Sequence, residues 1–315
     1  METKKTAPEF SVVISCYYEE KSIDEFHARL SSTMQKTGRS FEIIFVNDGS
    51  RDGTWNHLKA IYEKDPYVTA VIDLFKNSGH AAGLTAGMME SEGRNIIIMD
   101  SDLQLDPEDL PLLIAKYDEG MDLVTGYRAI RNDSLMRILP SKLANVIMRR
   151  VSKSAFRDFG CTMKIVRREL VTAFNPSPTN TWNMLQVIAR AGRRTEIPVN
   201  HHRRKYGRSG WTFSKLFELN MDNLVRLSQR PFQILGLFCI AAAVFFTFRV
   251  VLGLFSPFSI LGDITNGFLL NALVVSLFIL IAILCVIGEF VIRSFISLQQ
   301  EPVYIVREML KRPKA

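Results

Sequence analysis

Asn95-Ile96-Ile97-Ile98-Met99-Asp100-Ser101-Asp102-Leu103-Gln104-Leu105-Asp106-Pro107-Glu108 is the stretch of this 315-residue chain that decides its fold. A short apolar run that ends in acids reads as a buried parallel strand. Such a strand delivers its carboxylates to the sheet edge where ligands of open α/β folds bind. Two carboxylates one residue apart suit a hard divalent cation, Mg²⁺ or Mn²⁺, shared with substrate phosphates. Beyond them Asp106 can cap a helix, Pro107 suits its first position, and Glu108 and Asp109 favour its positive end. Taken alone, the acids also describe a solvated turn or a helix cap, so the rest of the chain has to decide.

Working outward, strand-like and helical segments alternate up to Thr125. Ser11–Ser15, Phe41–Val46, Val68–Leu74, Asn95–Met99 and Asp122–Thr125 read as strands, with helical periodicity between them. This alternation predicts a mostly parallel sheet with helices on both faces. Farther on, a helix is expected over Leu135–Ser154, a strand over Cys161–Val166 and a helix around Trp182–Ala191.

Each loop after a strand carries polar groups that should converge at the carboxyl ends of the strands. These are Cys16-Tyr17-Tyr18-Glu19-Glu20, Asn47-Asp48-Gly49-Ser50-Arg51-Asp52-Gly53-Thr54 and Lys76-Asn77-Ser78-Gly79-His80. In the second, the glycines permit a tight turn and Asp48 can meet a ribose or a base N–H, while Asp52 reads as turn-forming and helix-capping. Gly79, Gly83 and Gly87 recur every four residues. That is not the dinucleotide fingerprint, and it predicts a smooth helix face for close packing.

Composition changes abruptly near residue 231. Phe232–Phe255 holds one charge, Arg249, and Ile264–Gly288 holds none, so each run is long enough to cross a hydrocarbon core of about 30 Å. The connector Ser256–Asp263 has no Lys or Arg whereas both flanks are basic, which puts the N-terminal domain and the C-terminal tail in the cytoplasm of a membrane protein. Met1–Glu9 is polar and offers no signal peptide. Between Thr212 and Gln229, Phe213, Leu216 and Leu224 mix with Lys215 and Asp222, as in an amphipathic helix on a membrane surface. Trp211 and Phe213 are interface anchors, and Ala241, Ala242 and Ala243 offer a face for self-association as a homo-oligomer.

The net charge is +7, concentrated between Arg190 and Lys215. The adjoining apolar runs explain that charge as attraction to anionic headgroups, and no nucleic acid partner is expected. His201 and His202 point to opposite faces of an extended segment, which argues against a metal pair and for headgroup contact or plain surface histidines. Cys16, Cys161, Cys239 and Cys285 form no CxxC or Cys/His cluster, so reduced structural thiols are expected.

Ser11–Glu20, Val46–Thr54, Lys76–His80 and Asp100–Glu108 together resemble family 2 glycosyltransferases with the Rossmann-like GT-A fold. More narrowly the chain is similar to polyprenyl-phosphate glycosyltransferases, which include dolichyl-phosphate mannose synthases and bacterial undecaprenyl-phosphate glucosyl and aminoarabinosyl transferases. Further similar segments are Val124–Arg128, Asp158–Cys161, Glu196–Val199, Arg204–Ser209, the apolar hairpin and Glu301–Glu308. Departures from the family pattern are Ser15 and Tyr18 for its usual Pro and Asn, Lys76 for Arg, and Gly210 for a basic residue.

The resemblance implies a cytoplasmic GT-A domain over residues 1–211, a juxtamembrane helix at 212–230, a transmembrane hairpin at 231–293 (helices at 232–255 and 264–290), and a tail at 294–315. It implies inverting transfer of a sugar, with glucose from UDP-glucose as the first expectation, from a nucleotide-diphosphate donor to undecaprenyl phosphate in a bacterial inner membrane. GDP-mannose or another UDP-sugar is the alternative donor. Tyr17, Glu19, Asp48, Lys76 and Asp100 are the expected nucleotide-sugar contacts, and Asp100, Asp102 and Gln104 the expected ligands of Mg²⁺ or Mn²⁺. Arg128, Arg131, Arg137, Lys142, Arg204 and Ser209 would hold the lipid phosphate, and Asp158 would orient the acceptor or a sugar hydroxyl or satisfy a backbone turn. Asp102, Asp158 and Arg128 are the catalytic candidates.

The acceptor phosphate is mostly dianionic at neutral pH and needs no general base, so what the protein must supply is positive charge. A processive polysaccharide synthase would carry a QxxRW motif, whereas here Gln186 is followed by Arg190. A non-enzymatic membrane adaptor would have no need of intact Asp100, Asp102 and Gln104.

Overall fold

The computed structural model describes residues 7–129, 148–150, 154–203, 205–206, 241, 301–313 and a subset of 272–298. The first strand, β1 (Phe10–Cys16), is buried almost throughout, as are β2 (Phe41–Asn47) and β3 (Val68–Leu74). Such runs belong at the centre of a sheet covered on both faces. Between them, α1 (Ile23–Lys36) buries Ile23, Phe26, Leu30 and Met34 at helical spacing, with Asp24 and Glu25 in its first turn and Lys36 in its last. Then follow α2 (Thr54–Lys64), α3 (His80–Glu90), β4 (Asn95–Ile98), α4 (Leu110–Asp118) and β5 (Leu123–Arg128). After these come β6 (Lys164–Arg167), α5 (Arg168–Thr172), α6 (Met184–Arg190), β7 (Arg194–Val199) and β8 (Val306–Lys311).

The eight strands form one sheet in the order β7-β5-β6-β4-β1-β2-β3-β8. β4, β1, β2 and β3 are mutually parallel, with Phe10 opposite both Phe41 and Asn95. β6 is antiparallel to β4 and β5, and β8 is antiparallel to β3. The sheet is therefore mixed, and mostly parallel as expected. Alternating side chains build two cores. Val12, Ile14, Ile43 and Phe45 pack with α1, α2 and α4, whereas Val13, Ile44 and Val46 pack with α3 and α6.

The smooth face of α3 has a direct cause. A Cβ on Gly83 would collide with the Ser15 side chain, and one on Gly87 would lie 2.5 Å from Val13 Cγ1. Asp52 behaves as its position suggests: its Oδ1 accepts from the Thr54 amide at 3.2 Å and from Thr54 Oγ1 at 2.6 Å at the start of α2. Asp106 does not cap. Its carboxylate instead bonds Arg29 Nη2 at 2.6 Å and His202 Nε2 at 2.7 Å, while a short 3₁₀ turn, Pro107–Asp109, leads into α4. A guanidinium and an imidazole at close range outcompete a backbone amide for that carboxylate.

By contacts the chain divides into two compact units, Met1–Leu227 with Pro302–Ala315, and Ser228–Glu301. In the second, the described residues between 272 and 298 are all helical, and Leu273, Leu277, Leu284 and Phe295 are exposed. Among the described residues no helix is long and apolar enough to cross a membrane. The expected first span and the amphipathic segment 212–230 lie outside the described residues, Ala241 apart, as does part of the second span. Most of the helix expected over Leu135–Ser154, together with Arg131, Arg137, Lys142, Arg204, Ser209, Trp211 and Phe213, also lies outside them.

Candidate active site

Because β1 to β4 run parallel, the loops after them meet at one edge of the sheet. The second loop is stapled to the third through Asp48. Its Oδ1 accepts from the Ser78 amide at 2.6 Å, and its Oδ2 accepts from the Gly79 amide at 3.0 Å and Asn77 Nδ2 at 3.1 Å. Burial pushes the Asp48 carboxyl above its ordinary range, opposed by the Ser78 and Gly79 amides. Gly49 sits in the left-handed region at φ 66°, and a Cβ there would strike the backbone of Lys76 and Asn77.

The first loop is tied to the second in the same way: the Tyr18 amide donates to Ser50 Oγ at 3.0 Å and the Glu19 amide to Thr54 Oγ1 at 3.0 Å. Glu19 is buried, and its carboxylate accepts from Ser22 Oγ ahead of α1. Tyr17 and Tyr18 meet edge to face at 4.5 Å. Together these loops wall a cavity of about 540 Å³. Its lining includes the aromatic rings of Tyr17, Tyr18, Trp55 and Phe75 and the cations Arg51, Lys76 and Arg307. Aromatic faces beside fixed polar groups suit a nucleoside. Of the expected nucleotide contacts, Tyr17 and Lys76 line this cavity. Glu19 and Asp48 do not line it but hold the loops that form it, and Asp100 lies on the loop after β4.

That fourth loop carries the acids. Asp100 is about one-third exposed, its Oδ1 lying 3.7 Å from His80 Nε2 at the start of α3. Asp102 is buried, and its Oδ1 accepts from the Gln104 amide at 3.0 Å across Leu103, a non-glycine residue at φ 59°. Left-handed backbone at a leucine costs about 1–2 kcal/mol, so the surrounding structure must impose this turn. The segment after β7 does so. Gln104 Nε2 donates to the His202 carbonyl at 3.3 Å, the His202 amide donates to the Gln104 carbonyl at 2.8 Å, and Leu105 bridges to His201. Both histidines thus lie against the acidic loop; His202 is exposed, as expected of a surface histidine, whereas His201 is half-buried.

Two carboxylates on one tight turn, with an amide beside them, are hard oxygen donors that fit Mg²⁺ or Mn²⁺. Among the described residues no group of three or more His, Cys, Asp or Glu side chains could hold a metal ion. Two carboxylates and an amide leave coordination positions that diphosphate oxygens could fill.

Arg128, at the end of β5, forms a forked pair with Asp158: Nε to Oδ2 is 2.7 Å and Nη2 to Oδ1 is 2.9 Å. Asp158 also accepts from the Gly160 amide at 3.1 Å. The two alternatives for Asp158 thus meet a third, since it orients an arginine as well as a turn. Nearby, Lys164 on β6 is almost wholly buried, and burial pushes its ammonium below the ordinary lysine range. It is the one charge within the apolar strand signal Cys161–Val166, and that interruption was the available clue. Cys16 and Cys161 are buried free thiols, the latter pushed up to about 11 by burial. His80 lies in the loop Lys76–His80 and Arg307 in the similar segment Glu301–Glu308, but the sequence assigns neither a role, because only the folded sheet shows what each one meets.

A family model described as glycosyl transferase family 2 matches residues 11–174. Undecaprenyl-phosphate 4-deoxy-4-formamido-L-arabinose transferase of Salmonella paratyphi B is 35% identical over 229 residues, covering 72% of this chain and 70% of the relative. The protein of the same name from Salmonella enteritidis matches to the same extent. Among solved structures, glucosyl-3-phosphoglycerate synthase from Mycobacterium tuberculosis superposes with a TM-score of 0.49 at 18% identity, covering 70% of this chain and 79% of that one. S. aureus TarS superposes with a TM-score of 0.49 at 18% identity, covering 69% of this chain and 65% of that one. With its acidic loop, its nucleoside-sized cavity and the family model matched across both, the chain belongs to glycosyl transferase family 2 and is a glycosyltransferase of the GT-A type.

Proposed function

We propose that the chain transfers a sugar, with inversion, from a nucleotide-diphosphate donor to the phosphate of a polyisoprenyl lipid, undecaprenyl phosphate first among them. The observation that carries this reading is the acidic turn Asp100–Gln104 at the carboxyl end of β4, on the same sheet edge as the aromatic-walled cavity. The 35% identity to proteins named undecaprenyl-phosphate 4-deoxy-4-formamido-L-arabinose transferases supports the acceptor class. Their name also adds 4-deoxy-4-formamido-L-arabinose to the sugars to test, here as its UDP derivative, beside UDP-glucose, with GDP-mannose next.

In this reading the nucleoside enters the cavity between Tyr17 and Lys76, and the diphosphate extends toward Asp100 and Asp102. Asp102, with Asp100 and Gln104, would hold an Mg²⁺ or Mn²⁺, which when bound would supply Lewis-acid neutralisation of the leaving diphosphate. A phosphate oxygen of the acceptor forms the bond to the anomeric carbon, and the bond to the diphosphate breaks with its electron pair on the departing oxygen. No proton need move, because the acceptor is already dianionic. Arg128 counters that charge, and Asp158 is a positioning residue that fixes the guanidinium plane. The apolar runs 232–255 and 264–290 act as the anchor that keeps this chemistry close to the lipid, with the N-terminal domain and the tail in the cytoplasm.

The test is turnover by the full chain in detergent or nanodiscs with labelled UDP-glucose, UDP-4-deoxy-4-formamido-L-arabinose and GDP-mannose, undecaprenyl phosphate and Mg²⁺. Label should pass from one donor into the lipid phase, and Asp102→Ala should abolish that transfer while the protein still folds. No labelled lipid from any donor would sink the proposal.

A further inference from the structure

The last strand of the sheet comes from beyond the two apolar runs, yet it reaches the donor cavity. β8 pairs with β3 so that Glu308 lies opposite Asp73 and Val306 opposite Leu74, and the Phe75 amide donates to the Ile305 carbonyl at 3.0 Å. This register carries Arg307 to the carboxyl end of β3. There its Nη1 lies 3.1 Å from Asp73 Oδ2, its Nη2 donates to the Phe75 carbonyl at 2.6 Å, and its guanidinium stands 5.4 Å from the Phe75 ring centroid.

Asp73 is buried, and its other oxygen accepts from Asn47 Nδ2 at 2.7 Å. Asn47 Oδ1 in turn accepts from the Ser50 amide at 3.4 Å, and Ser50 Oγ accepts from the Tyr18 amide. A hydrogen-bonded chain therefore runs from the tail through β3 and β2 to the first loop. Glu308 adds a second tie, accepting from Trp55 Nε1 at 3.2 Å.

We infer that β8 is a wall of the donor cavity and that Arg307 is a binding residue for the nucleoside end of the donor, donating to a carbonyl oxygen of the base. Three facts carry this. Arg307 lines the cavity, its side chain is 47% exposed, and its bonds to Asp73 and the Phe75 carbonyl use two of the five N–H donors an arginine has. The pair with Asp73 holds the fork in place, so little rotamer freedom remains to be lost on binding. The inference rests on the donor reading proposed above. It adds that a segment following the two apolar runs in sequence completes the nucleotide site within the same compact unit.

The experiment is calorimetric titration of the full chain in nanodiscs with UMP, UDP, GMP and GDP in Mg²⁺. Arg307→Ala should weaken whichever nucleotides bind the wild type by about tenfold, the loss of one charge-assisted bond, and by the same factor for mono- and diphosphate. Arg307→Lys should recover part of the loss. Lys311→Met breaks the 2.7 Å pair with Glu90 at the end of β8 opposite Ala70, far from the cavity; it should lower the melting temperature while binding remains like the wild type. Wild-type affinity in Arg307→Ala, a loss confined to diphosphates, or an equal loss in Lys311→Met would each overturn the inference while leaving the donor reading intact. A wild type that binds none of the four nucleotides would overturn both.

Discussion

Removing both members of the Arg128–Asp158 pair should cost less than the sum of removing each alone. The pair is forked, at 2.7 and 2.9 Å, and its side chains are 19% and 5% exposed, so solvent screens it weakly. A hydrogen bond to a charged group contributes about 1.5–3 kcal/mol, and stranding one partner of a buried pair costs about 3–5 kcal/mol. Asp158→Asn keeps the shape and one acceptor, so about 3 kcal/mol of unfolding free energy should be lost. Arg128→Met should lose a similar amount by taking the guanidinium away from the buried Asp158 carboxylate. The double variant should lose about 4 kcal/mol rather than about 6, a coupling of about 2 kcal/mol, because it strands no charge. Chemical denaturation of the full chain in nanodiscs, followed by tryptophan fluorescence, measures the cycle. In turnover, Arg128→Met should raise the KM for undecaprenyl phosphate about tenfold to a hundredfold, and Asp158→Asn should raise it less. Additivity within about 0.5 kcal/mol, or an unchanged acceptor KM in both variants, would refute the reasoning.

Gly49→Ala forces a side chain into the left-handed region, costing about 1–2 kcal/mol, and sets its Cβ 2.6 Å from the Asn77 nitrogen, where backbone cannot swing aside. Its melting temperature should fall and its donor KM rise, and wild-type values for both would show that the second and third loops are not coupled as described. Arg29 holds Asp106 and Glu108, whose carboxyls lie below their ordinary values of 3.8 and 4.5. For Asp106, burial works against the bonds from His202 and Arg29, which prevail; for Glu108 the Arg29 bond leads. Depressed acids stabilise the fold above their unfolded values and lose that contribution as pH falls through their folded ones. The difference in melting temperature between wild type and Arg29→Ala should therefore hold steady above about pH 5 and close toward pH 3. A gap that persists in acid would contradict the pairing.

The strands at the middle of the sheet were legible because burial on both faces leaves a continuous apolar signature, as in Phe41–Asn47 and Val68–Leu74. The edges were not. Arg194-Thr195-Glu196-Ile197-Pro198-Val199 is partly exposed and contains a proline, and Val306-Arg307-Glu308-Met309-Leu310-Lys311 mixes charged and apolar residues without the strand period, in a tail whose family-similar segment Glu301–Glu308 carries no strand assignment from sequence. At the site, residue types and loop positions were readable, as Tyr17, Lys76 and the acids after β4 illustrate. Partners were not, because side chains meet through the fold rather than through spacing. Arg128 finds Asp158 thirty residues on, Asp48 finds the amides that open α3, and Arg307 reaches Asp73 from the far end of the chain.

The central claim is that the acidic turn clamps a metal-bound nucleotide diphosphate, and anomalous scattering from Mn²⁺ locates that ion directly. Crystals of the full chain grown with Mn²⁺ and UDP, or with GDP if that is the nucleotide bound, should show one strong anomalous peak. It should lie within coordination distance, about 2.0–2.4 Å, of an Asp102 carboxylate oxygen and of a diphosphate oxygen. The nucleoside should lie in the cavity bordered by Tyr17, Lys76 and Arg307. A peak away from Asp102, or nucleotide bound in that cavity with no ion at the acidic turn, would contradict the account.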